Sequence, residues 1–270
     1  MIDLHSHILP AIDDGAGDQA TSLEMARMAV EDGITHMACT PHIVPGLWNN
    51  NTTSITNAVR SLRMVLSAEK IELALLTGAD IRVMPDLPAA LKAGDTPTLR
   101  ESRYFLFEPT HQVVPPRIED LAHRLIREGF VPIVTHPERL TWLPSHYDII
   151  ERLNDIGCLI QITAGSVTGA FGKAAKFYAE QMLDEGRVDI LATDAHNTTT
   201  RPPLLSAARD CVAQRLGEKE AVAMVMDRPA AILLNKPLIP QGTIRSPETT
   251  QVGVRREKGL LSRIFRGDKG

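Results

Sequence analysis

The sequence predicts an α/β fold with a parallel sheet, closed or nearly closed into a barrel of seven strand–helix units, and three observations predict it. Short apolar runs of strand length alternate with helical patterns over about 200 residues. Glycines stop the helices just before the next apolar run, at Glu128-Gly129, Ile156-Gly157 and Glu185-Gly186. Candidate chemical groups fall at the ends of the apolar runs, where parallel strands bring side chains to one face. An open doubly wound sheet is the structural alternative.

The runs, in order, are Met1 to Leu4, Thr35 to Cys39, Glu72 to Thr77, Tyr104 to Phe107, Val131 to Thr135, Cys158 to Ile162 and Val188 to Ala192. Each is flanked by Gly, Pro, Asp or Glu, and each is read as a strand. Residues 20–32 place Leu23, Ala26 and Val30 on one helical face and stop at Gly33, a natural C-cap. Residues 53–69, 117–128, 146–155 and 168–185 follow the same pattern, and the chain after Pro203 is helical to about Asn235. Strict alternation of strand and helix calls for parallel pairing with crossovers.

Composition narrows the function. Of 270 residues 43% are apolar, enough for a sizeable core, but only 4% are aromatic, so Leu, Ile, Val, Ala and Met must fill it. The net charge of −4 argues against general nucleic-acid binding. Cys39, Cys158 and Cys211 are too few and too scattered for a disulfide framework. None has an arginine six positions on, so the loop of cysteine-dependent tyrosine phosphatases is missing. The start, Met-Ile-Asp-Leu-His, has no charged-then-apolar leader, and no run is long enough for a membrane span. A soluble, cytoplasmic protein is expected, with a folded body over residues 1–238 and a flexible basic tail over 239–270. Residues 241–270 carry seven Lys/Arg against three Asp/Glu. Within them Leu260, Leu261, Ile264 and Phe265 recur at helical spacing among basic residues, the pattern of a short helix for weak contact with a membrane surface or a partner. A plain disordered tail is the competing reading.

The chemistry sits at the strand ends. His5 and His7 follow the first run at i, i+2, and His42 follows the second. Asp80 follows the third, Glu108 the fourth and His136 the fifth. Asp194 and His196 follow the seventh, again at i, i+2, and Asp14 lies in the loop after the first. Imidazoles and carboxylates together are the ligand set of zinc, manganese or iron. Nine such groups exceed the needs of one ion and suffice for two or three, the arrangement of hydrolytic phosphoryl-transfer sites. Any one of these residues alone reads as structural or solvated; ligands at so many strand ends together do not. His36, His111, His123 and His146 lack this placement and read as structural or surface residues. Arg139 lies three residues beyond His136, and Arg201 follows the Asp194/His196 pair; both fit as grips for phosphate oxygens.

Asp3-Leu4-His5-Ser6-His7, Thr135-His136-Pro137 and Thr193-Asp194-Ala195-His196 resemble the motifs of the PHP (polymerase and histidinol phosphatase) superfamily. Further runs are similar to the bacterial manganese-dependent protein-tyrosine phosphatases of capsule and exopolysaccharide systems. These are His5 to Pro10 with Asp13-Asp14-Gly15, Thr40-Pro41-His42, His136-Pro137-Glu138-Arg139, and Asp194 to Asn197 with Arg201-Pro202. The resemblance spans about residues 1–235. It implies the PHP fold, a distorted (β/α)₇ TIM-like barrel, and a site of two or three ions, Mn²⁺ before Zn²⁺, Fe or Co²⁺. His5, His7, Asp80 and Asp194 would hold the first ion; Asp80, Glu108 and His136 the second; Asp14, His42 and His196 the third. Arg139 and Arg201 would hold phosphate, with His196 available to assist the leaving group. The substrate implied is a phosphotyrosine protein, in particular an autophosphorylating bacterial tyrosine kinase that regulates capsule or exopolysaccharide synthesis. One position departs from the family, which usually has Glu where this chain has Asp80. Three other readings remain open at this point: a small-molecule phosphoesterase such as a histidinol phosphatase, a metal-dependent amidohydrolase, and a non-catalytic kinase-binding regulator.

Overall fold

The computed structural model describes residues 1–240. Nine strands are present: β1 (Ile2–Ser6), β2 (His36–Cys39), β3 (His42–Ile43), β4 (Ala74–Thr77), β5 (Asp80–Arg82), β6 (Tyr104–Glu108), β7 (Val131–Thr135), β8 (Leu159–Thr163) and β9 (Ile190–Ala192). The helices are α1 (Gln19–Glu31), α2 (Thr52–Ala68), α3 (Leu87–Ala93), α4 (Ile118–Arg127), α5 (Tyr147–Ile156), α6 (Ala164–Thr168), α7 (Gly172–Asp184), α8 (Ser206–Leu216), α9 (Glu218–Val222) and α10 (Arg228–Leu233). The basic tail expected over 239–270 lies outside the described residues from 241 onward.

Every strand pair is parallel. The strands form two sheets, ordered β1-β2-β4 and β3-β5-β6-β7-β8-β9. Nine strands appear where seven runs were expected because two runs continue past a break. Thr40-Pro41 separates β2 from β3, and Gly78-Ala79 separates β4 from β5. Proline has no N–H for the ladder. Gly78 lies against Leu99 and Thr40, where a Cβ would sit 2.8 Å from the Leu99 side chain. Each break swings the chain from the first sheet into the second, and the residue that resumes pairing is a candidate ligand: His42 opposite Asp80. Beyond β9 the chain returns to β1 through a bridge of Ser6 with Ala195, with His7 N–H donating to Ala195 O at 2.8 Å and Asp194 N–H to His5 O at 2.9 Å.

Strand side chains alternate between two cores. Leu4, Leu106, Ile133, Leu159 and Ile190 meet Ile232 and Leu233 of α10 in an inner cluster. Phe105, Phe107, Val134, Ile160, Ile162 and Leu191 pack outward against helix residues such as Met25, Leu125 and Leu153. Two residues beyond the inner apolar layer on the same strands stand Glu108, Thr135 and Gln161, so the side that is oily at depth becomes polar at the carboxyl ends. On β1 a register shift between Asp3 and Ser6 lets Leu4 join the inner core while His5 and His7 reach the polar end. The helix expected over 168–185 is α7, which starts at Gly172 because the short α6 before it ends at Gly169 (φ 94°), where only glycine is at ease.

Candidate metal centre

All nine strand-end groups converge. Asp80 and Asp194, both fully buried, are the two foci. His5 Nε2 lies 3.2 Å from Asp194 Oδ1 and 3.5 Å from Asp80 Oδ2; His7 Nε2 lies 3.3 Å from Asp194 Oδ1. His42 Nδ1 is 3.4 Å from Asp80 Oδ2 and 3.6 Å from Glu108 Oε2. His136 Nε2 is 4.0 Å from Asp80 Oδ2. Asp14 Oδ1 stands 3.5 Å from both His42 Nε2 and His196 Nε2. Arg139 and Arg201 both reach Asp194 Oδ2.

The surroundings fix tautomers. His5 Nδ1 bonds Gln161 Oε1 at 2.9 Å, His7 Nδ1 bonds Asp13 Oδ2 at 2.7 Å, and His196 Nδ1 bonds Asp194 O at 2.9 Å. Each acceptor holds the proton on Nδ1 and turns Nε2 toward the centre, the arrangement of metal-ligating histidines. Asp13 also accepts from Gly15 N and His42 N, so its carboxylate is consumed as a brace. Asp14 is the one that faces the imidazoles, a choice spacing alone does not make. Gly15 is required here, because a Cβ would lie 2.1 Å from His7 O. Asp3 ties β1 to the end of β9 by accepting from Thr193 N, Thr193 Oγ1 and His5 N.

Electrostatics follow from burial and crowding. Burial raises Asp3 to about 6 in spite of its hydrogen bonds. Burial would lower His7, but Asp13 and Asp194 outweigh it and raise His7 to about 10. His42 is pushed down to about 4 by burial and by the charge of His7. For the coupled carboxylates, burial works against ionisation of both; the histidines around Asp80 hold it low, and Glu108 is raised by burial and by Asp80. Two site residues, His136 (φ 37°) and Asp194 (φ 51°), hold left-handed backbone, a cost of about 1–3 kcal/mol each that their surroundings enforce.

Sequence reasoning missed four contributors. Gln161 braces His5. Phe171 lies under Arg139, whose Cζ is 4.3 Å from the ring centroid and whose neighbour Arg201 is at 6.0 Å. Gly165 lets that ring approach, since a Cβ there would be 2.6 Å from it. Trp48 stacks on His42 at 5.0 Å. His111, read as structural or surface, stands beside Glu108 and His136, while His36, His123 and His146 are exposed. Gln161 is placed by the alternation of β8, two residues beyond Leu159, whereas Phe171, Trp48 and His111 come from loops folding back, which no strand-end spacing marks.

The residues fit metal ions by an internal test. His42 Nδ1, Asp80 Oδ2, His136 Nδ1 and His196 Nε2 are buried without a hydrogen-bond partner. Unsatisfied groups cost about 1–3 kcal/mol apiece, and cations would satisfy the acceptors among them. Five groups of three or four ligand atoms, each within 4.8 Å, can be drawn among the described residues. A parallel α/β body with such a centre, flanked by two arginines, has the make-up of a metal-dependent phosphoesterase. A family model described as capsular polysaccharide synthesis, CpsB/CapC, matches residues 1–234, and the chain belongs to that family. It is 37% identical to the tyrosine-protein phosphatase YwqE of Bacillus subtilis over 201 residues, covering 74% of this chain and 79% of that one. Against the tyrosine-protein phosphatase CpsB of Streptococcus pneumoniae it is 28% identical over 241 residues, 87% and 99% of the two chains. A crystal structure from the work on those two proteins, described as unique metal-dependent tyrosine phosphatases, aligns with TM-score 0.86 and 33% identity over 90% of this chain and 98% of that one.

Proposed function

We propose that this protein is a metal-dependent protein-tyrosine phosphatase of capsule or exopolysaccharide synthesis, acting on an autophosphorylating tyrosine kinase in the cytoplasm. The observation that carries the reading is the convergence of nine ligating groups on Asp80 and Asp194, with both arginines on Asp194. Two or three ions are held by His5, His7, Asp14, His42, Asp80, Glu108, His136, Asp194 and His196, with Mn²⁺ preferred over Zn²⁺, Fe or Co²⁺. The two sheets act as one distorted (β/α)₇ barrel, the broken staves β2/β3 and β4/β5 each counting once. Residues 1–238 are the catalytic body and 239–270 a basic tail for weak membrane or kinase contact. Among the described residues no helix is long and apolar enough to cross a membrane.

Bound divalent ions supply Lewis acidity for phosphoryl oxygens and for water. The chain's own residues do the rest. Arg139 and Arg201 grip the equatorial oxygens of the phosphoryl group, and the Phe171 ring keeps Arg139 from swinging away. Gln161 and Asp13 keep His5 and His7 in the tautomer with Nε2 free. His196 presents bare Nε2 beside Asp14, ready to ligate or to take part in proton transfer at the leaving oxygen. A phenolate, with a pKa near 10, leaves with little protonation. Cys39 and Cys158 are buried, with their thiols pushed up by burial, and Cys211 on α8 is not among the groups that converge on the centre, so no cysteine is placed as a nucleophile. The test is phosphate release from a phosphotyrosine peptide and from p-nitrophenyl phosphate, metal-stripped and then with Mn²⁺, Zn²⁺, Mg²⁺ or Co²⁺. Metal-dependent release from the peptide, abolished by His136→Ala, is expected. Turnover of the small ester alone would shift the substrate to a small phosphomonoester, and silence on both would defeat the reading.

A further inference from the structure

His111 stands outside the nine strand-end groups, yet it closes a cluster of its own. One ligand atom each from Glu108, His111 and His136 lie within 4.8 Å of one another. His111 Nε2 is 3.9 Å from Glu108 Oε1, and the His111 and His136 rings are 5.2 Å apart. Its position is built. Thr141 N and Thr141 Oγ1 donate to His111 O at 3.0 and 2.8 Å, and Trp142 Nε1 donates to Thr110 O at 2.9 Å. These bonds staple the loop after β6 to the segment that follows the His136–Arg139 turn, so the imidazole is carried to its partners by two strand-end loops at once. A second observation points to a ligand: His136, 2% exposed, has Nδ1 without a hydrogen-bond partner. A third is one of reach. Asp80 Oδ2 is 4.0 Å from His136 Nε2, against 3.4–3.5 Å from His42 and His5. The three-residue group on this flank that includes His136 and Glu108 closes through His111, not through Asp80.

We propose that His111 is a further protein ligand of the metal ion held by Glu108 and His136. The inference rests on the metal reading above and adds a residue to it. An imidazole from a stapled loop gives this flank a nitrogen where the short Asp80 side chain is drawn toward His5 and His42. Two histidines and a carboxylate make a set that zinc, manganese, iron and cobalt accept.

The experiment compares the full chain with His111→Ala and His111→Cys. Metal content after gel filtration is read by atomic emission, metal affinity by calorimetric titration, and folding by circular dichroism. His111→Ala should retain one ion fewer per chain, or bind its weakest ion at least about 10-fold less tightly. His111→Cys, loaded with Co²⁺, should show a thiolate-to-cobalt charge-transfer band absent from the native protein, because only a residue touching the ion produces it. That readout stands even where His111→Ala fails to fold. Native metal content and affinity in His111→Ala, or no such band in His111→Cys, would overturn the inference while leaving the phosphatase reading intact. A native protein that binds no metal would overturn both.

Discussion

On the β1–β9 flank of the centre each imidazole has its outer nitrogen occupied: His5 by Gln161, His7 by Asp13, His196 by the Asp194 carbonyl. The strands themselves are laced together there by Asp3 and Thr193. On the β5–β7 flank, His136 Nδ1 and Asp80 Oδ2 have no hydrogen-bond partner, and Glu108 is held by Arg82 at 2.9 Å. The first flank is shaped by protein before any ion arrives; the second is left for an ion to complete. Preorganised ligands cost less to recruit, so the two flanks should differ in how they respond to loss of a single group.

The largest effect should come from the point that serves the shaped flank most widely. Asp194 touches His5, His7, His196 and both arginines. Asp194→Asn should lower kcat/KM for a phosphotyrosine peptide on the order of 10³-fold or more, and a loss under tenfold would break the contrast. Next, Arg139→Met should lower kcat/KM by about 10²-fold and weaken inhibition by inorganic phosphate in parallel. Asp13→Asn should cost about 10–100-fold in metal affinity by calorimetry, since it loosens the His7 tautomer and the loop with Gly15. Arg82→Met, on the other flank, should stay within about threefold, as the part-exposed guanidinium only braces a buried Glu108 that a bound ion would hold in its place. Equal effects for Asp13→Asn and Arg82→Met would erase the distinction. The smallest effect is expected from iodoacetamide at pH 8. Burial lifts the Cys39 thiol to about 12, leaving roughly 10⁻⁴ of it as thiolate, and the part-exposed Cys211 lies on α8 outside the converging groups, so activity should survive treatment that inactivates cysteine phosphatases.

Much of this was legible in the sequence because strand ends carry their own signature. His5-x-His7 and Asp194-x-His196 announce themselves by alternation, and His42, Asp80, Glu108 and His136 by following apolar runs. The structure brings all of them together. The strand count was less legible, because Pro41 and Gly78-Ala79 divide two runs at the turn into the site, and a break inside a run has the same composition as its end. The division of labour between Asp13 and Asp14 depends on which way a tight loop turns around Gly15. His111, Trp48 and Phe171 reach the centre through tertiary packing, for which a single sequence has no period to read, and Gln161 stands on β8 where alternation reaches it but an amide carries no ligand signature. The Asp80 departure from the family's usual Glu was visible as a missing methylene, and its neighbours are arranged as distances of 3.4–3.5 Å on one side and 4.0 Å on the other.

Tyr104 opens β6 and Glu108 closes it. At the opening end the Tyr104 hydroxyl donates to Lys236 O at 2.6 Å and accepts from Leu238 N at 3.0 Å, while Arg103 Nε and N both donate to Asn235 Oδ1 at 3.0 Å. The last described turns of the chain are thereby buttoned to the base of the strands, a strand's length from the carboxylates. The described chain therefore ends at the heel of the strands, opposite the mouth where the ligating groups gather.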